Sequence, residues 1–173
     1  MDLPIDALSM KVEEILGAIN DSDASANILK IFIKEWEKEP ELDENKGYKT
    51  HFFRFLKENL TIQDYQGIYH PPLKFLPKLE PTNIKEITSQ SAKQAMTILF
   101  HKTMAYGMEL LSLEESKQIV NDIFSLFYAP KCFSNHHLSP DEKFDPSGSY
   151  AWNPITVYTF DFLIGLIDKD RGG

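Results

Sequence analysis

The sequence predicts an all-α fold: a single-domain multi-helix bundle around a central buried helix at about residues 91–111. Three observations carry this. Apolar residues recur at spacings of three and four in several stretches, which is the period of a half-buried helix. Ser91 with Gln94, and Ser112 with Glu115, have the spacing of capping boxes, in which a hydroxyl accepts from the third backbone N–H and the later side chain reaches back to the cap. The 173 residues are 42% hydrophobic and 12% aromatic, a composition that offsets the entropy of ordering. At this length folding buries roughly 70% of the surface an extended chain exposes. One globular domain over residues 1–173 is therefore the simplest organisation.

The elements follow in order. Ile5, Leu8, Val12, Ile15, Leu16 and Ile19 mark a first helix, with Pro4 in its first turn. Asn20, Asp21, Ser22 and Asp23 supply turn and cap chemistry before Ile28, Leu29, Phe32, Ile33 and Trp36 mark a second, ended by Pro40. Phe52, Phe53, Phe55 and Leu56 indicate a third helix running to about Asn59. From residue 70 to 81 four prolines deny backbone donors and push their preceding residues out of the helical region. This stretch reads as an extended connector.

Beyond it, Ala95, Met96, Ile98, Leu99, Phe100, Met104, Tyr106, Met108, Leu110 and Leu111 cover most of a helix circumference, so the 91–111 helix is expected at the centre. Leu113, Ile119, Val120, Ile123, Phe124 and Phe127 form a clean stripe on a further helix closed by Pro130. Residues 131–153 are rich in Ser, Asn, Asp, Pro and Gly and read as a long loop. Asn153-Pro154 resembles a cap followed by proline at the first helical position. The final segment 155–167 then reads as helix or buried strand, because Ile155, Thr156, Val157, Tyr158 and Thr159 favour β structure.

Charge and composition exclude several functions. Eighteen Lys+Arg against 26 Asp+Glu leave a net charge of −8, the wrong sign for releasing counterions from phosphate, so no nucleic-acid partner is expected. A single cysteine allows no disulfide within the chain and suits a reducing compartment. The start Met1-Asp2-Leu3-Pro4-Ile5-Asp6 lacks the features of a secretory signal. The longest apolar or glycine run, residues 162–167, is about a third of the roughly 18 to 20 residues a membrane span needs. A cytoplasmic location without membrane contact is the expectation.

Few residues suggest chemistry. Cys132, His136, His137, Asp141 and Asp145 carry the donor types of a zinc site, but the paired knuckle is missing and a second one would have to come from His51, His70 or His101. No metal and no cofactor is expected there. Cys132 as a nucleophile needs a base that sequence neighbours rarely supply. His101 on an apolar helix reads as a hydrogen-bonded boundary residue. Asp145, Ser147 and Ser149 alternate like calcium ligands, yet Thr156 stands where the bidentate Glu belongs. No nucleophile elbow, phosphate loop, dinucleotide fingerprint or H-E-x-x-H pattern is present, and the reading is of a non-enzyme. Arg171-Gly172-Gly173 reads as a frayed end.

The charge itself is uneven. Between Lys34 and Glu44, Glu35, Glu37, Glu39, Glu41, Asp43 and Glu44 outweigh Lys34 and Lys38, placing −4, half of the net charge, in eleven residues. Such a patch steers a basic partner; the neighbouring aromatics Trp36, Tyr48, Phe52 and Phe53 read as core residues, with a role as anchors if exposed as the alternative. The expected function is that of a small acidic protein-binding module. In general character the chain looks like the immunity proteins that neutralise nuclease toxins, a likeness of type carried by small size, acidity and the missing catalytic motifs. The alternatives are a metal-dependent enzyme or ligand binder using the 131–153 loop, and a secretion chaperone or structural adaptor with an exposed apolar groove.

Overall fold

The computed structural model describes residues 7, 10, 11, 13, 14, 33–35, 47–59, 80–103, 107–139, 141, 144 and 162–173. They form an α+β fold, which corrects the all-α expectation. Helices α1 (Gly47–Asn59), α2 (Ser89–His101) and α3 (Leu113–Ser125) pack on a five-stranded sheet. Its strands are β1 (Lys34–Glu35), β2 (Lys85–Ile87), β3 (Lys131–Ser134), β4 (Ile164–Ile167) and β5 (Arg171–Gly172). Their order across the sheet is β1-β5-β4-β3-β2, and every neighbouring pair is antiparallel.

Strand alternation builds two cores from one sheet. In β3, Cys132 lies between Ile87 of β2 and Leu166 of β4. These three pack with Ala92 and Phe100 of α2 and Ile119, Val120, Ile123 and Phe124 of α3. One residue along, Phe133 pairs with Gly165 and turns to the other face, where Phe133 and Ile167 meet Phe52, Phe55 and Leu56 of α1. The sheet is therefore sandwiched between α2 with α3 on one side and α1 on the other. Each fully buried aromatic or aliphatic side chain in these cores contributes about 1.5–3 kcal/mol.

A single glycine sets the distance between α1 and the sheet. A Cβ placed on Gly165 would stand 1.7 Å from a Phe52 ring carbon. The Phe52 ring, fully buried, lies over β4 there and stacks on Phe133 with centroids 5.0 Å apart and planes at 12°. No larger residue leaves that seat open.

Four expectations about individual elements meet the structure. The 91–111 helix stops at His101, because Lys102 is extended and the chain turns back on itself. Lys102 bridges Glu109, Thr103 exchanges backbone hydrogen bonds with Met108 and Gly107, and Gly107 takes φ +63° at the bend. Of the apolar residues beyond His101, Met108, Leu110 and Leu111 thus lie on the returning arm of a hairpin rather than round a helix, and Met104 and Tyr106 lie outside the described residues. The 131–153 loop begins instead with β3, a central strand. The 155–167 segment ends in strand β4, with residues 155–161 outside the described set. The expected second helix meets β1 at Lys34–Glu35, its only described positions apart from Ile33.

The capping signals divide. Ser112 Oγ accepts from the Glu115 N–H at 3.2 Å while the Ser112 N–H donates to Glu115 Oε2 at 3.0 Å, so that box is present. The Ser91–Gln94 box is replaced by a cap one turn earlier: Thr88 Oγ1 accepts from the Ser91 N–H at 3.0 Å. Of the Pro-rich connector, residues 70–79 lie outside the described set, and Pro81 opens a single 3-10 turn, Pro81–Asn83, that leads into β2. Ala7, Met10, Lys11, Glu13 and Glu14 are helical, and Lys11 Nζ reaches Asp122 Oδ2 on α3 at 3.7 Å.

The C-terminal residues are not frayed. Leu166 and Gly173 exchange backbone hydrogen bonds of 2.7 and 2.9 Å, and Gly172 is buried between Ile167 and Lys34. Asp168 organises this hairpin. Its Oδ1 accepts from the N–H groups of Asp170 and Arg171, both at 2.8 Å, and its Oδ2 accepts from the Tyr128 N–H at 2.7 Å. One buried carboxylate thereby ties the β4–β5 turn to the chain leaving α3.

Candidate functional site

The acidic stretch singled out by charge enters the described fold with Lys34 and Glu35, which form β1 at one end of the described strand order. Among the described residues β1 has β5 as its one neighbour in the sheet, with Lys34 opposite Gly172 and Glu35 opposite Arg171. Glu35 is therefore fixed in β1 by backbone pairing. Glu37, Glu39, Glu41, Asp43 and Glu44 follow directly in sequence and lie outside the described residues, as does Trp36. Among the neighbouring aromatics, Phe52 is fully buried, and Tyr48 and Phe53 pack against the α1 core. Lys57 Nζ sits 4.8 Å above the Phe53 ring, which places a cation over that side chain's face. Phe52 is thus a core residue rather than a surface anchor.

The second constellation, residues 132–145, is pulled apart by the strand that carries it. Cys132 points into the core beneath α2, with Sγ 3.6 Å from Ser89 Oγ and 3.8 Å from the Pro130 carbonyl oxygen. Burial pushes its thiol pKa up, outweighing the Ser89 hydrogen bond and the lysines Lys131 and Lys93 that favour the thiolate. A protonated, buried thiol packs as a small apolar group. His136 is buried past the end of β3, its ring stacked on Phe162 at 3.9 Å, with Phe144 edge-on to Phe162 at 5.1 Å. The His136 N–H donates to Ser134 Oγ at 3.0 Å. His137 and Asp141 are exposed, and Asp145 is outside the described residues. Among the described residues no group of three or more His, Cys, Asp or Glu side chains is placed to hold a metal ion.

His101 has a structural partner. Its Nδ1 lies 2.7 Å from the Leu111 carbonyl oxygen, so the imidazole donates there and closes the base of the 101–111 hairpin. Two residues that sequence reasoning passed over matter more to the architecture. Asn135 Oδ1 accepts from the Leu163 N–H at 2.7 Å, holding the entry to β4 against the exit of β3. Asp168 does the same for the other end of β4. The available signal was an Asp followed by turn-forming polar residues, the pattern in which a carboxylate caps its own backbone.

No helix among the described residues is long and apolar enough to cross a membrane. No protein-family model, curated protein or solved structure matches the chain.

Proposed function

We propose that this chain is a small acidic protein-binding module that acts in the cytoplasm by neutralising a basic protein partner, in the manner of an immunity protein against a nuclease toxin. The observation that carries the reading is the concentration of half the net charge of −8 in residues 34–44, a stretch whose first acid, Glu35, belongs to β1, at one end of the described strand order. The negative field of such a run draws an approaching cationic surface toward it. Glu35, Glu37, Glu39, Glu41, Asp43 and Glu44 then pair with Lys and Arg on the partner, and the body of the sandwich blocks its active face. Burial of Cys132 disfavours its thiolate, which argues against that thiol as a nucleophile.

The test is capture by the immobilised chain, comparing wild type with a variant in which Glu37, Glu39, Glu41 and Asp43 are each changed to Lys. A basic protein, such as the product of a neighbouring reading frame, is expected on the wild type and lost from the variant, whose circular dichroism stays unchanged. Retention of the same partner by the charge-reversed variant contradicts the proposal.

A further inference from the structure

We draw no further inference here: the strongest candidate, the exposed apolar side chains Met108 and Leu113 at the hairpin joining α2 to α3, has nothing in the structure to show what covers it.

Discussion

Gly165 and Phe52 form a lock that tolerates no added atom on the glycine side. Gly165→Ala forces a Cβ into the Phe52 ring, a rigid group held by Phe133, so overpacking is expected to cost about 1–3 kcal/mol in urea unfolding. Adding Phe52→Leu to that variant is expected to recover part of the loss; two independent, additive losses would mean that the rings and the glycine do not touch. Asp168 is the polar counterpart. Asp168→Ala leaves three backbone donors without their acceptor, and a loss of roughly 1–3 kcal/mol is expected, measured by the same unfolding. Cys132 gives a pH signature. Because burial raises its thiol pKa in the folded state, the unfolded chain releases the proton first as pH rises, binds fewer protons than the native state, and is favoured. Stability is expected to fall as pH climbs through the ordinary thiol range. Cys132→Ala removes that part of the alkaline decline. Alkylation of the native thiol should be slow and become fast on unfolding.

The elements show which physical signals a sequence carries and which it leaves to tertiary structure. α3 was legible because each of its cues is local: Ser112 and Glu115 three residues apart, and a stripe running from Ile119 to Phe124. Glu115 is held below its ordinary carboxyl pKa by the Ser112 hydroxyl and backbone N–H, so the cap is formed above the usual carboxylate range and weakens on acidification through that lowered value. Ser112→Ala is expected to lower stability by about 1 kcal/mol, and helical amide exchange should rise first at Glu115, whose N–H loses its acceptor. The strands were not legible because their cues are not local. β3 is four residues, Lys131–Ser134, too short to display period two, and it follows a proline within a polar stretch. What makes it a central strand is pairing with Ile87 and Leu166, far away in the chain. The 91–111 pattern misled for a related reason: the apolar residues of a hairpin, from Met108 to Leu111, happen to continue the helical count of α2.

At the scale of the molecule, one sheet divides two cores and takes the first acid of the most acidic segment, Glu35, into strand β1. It also separates the side chains that had looked chemical: Cys132 belongs to the α2–α3 core, His136 to an aromatic stack with Phe162, and His137 to the surface. The acidic run was legible as a run of like charge. The pairing of its first acid, Glu35, with Arg171 was not, since Arg171 and Gly172 have no intrinsic strand preference and are held by Asp168 and by pairing to Ile167, Lys34 and Glu35.

The central claim is that the 34–44 segment steers a basic protein, and the association rate constant measured against ionic strength tests it most directly. For the captured partner, the wild-type rate is expected to fall about tenfold or more between low and high salt as the field is screened. The variant with Glu37, Glu39, Glu41 and Asp43 changed to Lys is expected to associate slowly at low salt and to show no such fall. A wild-type rate that is flat with salt, or a variant that associates as fast as wild type at low ionic strength, contradicts the account.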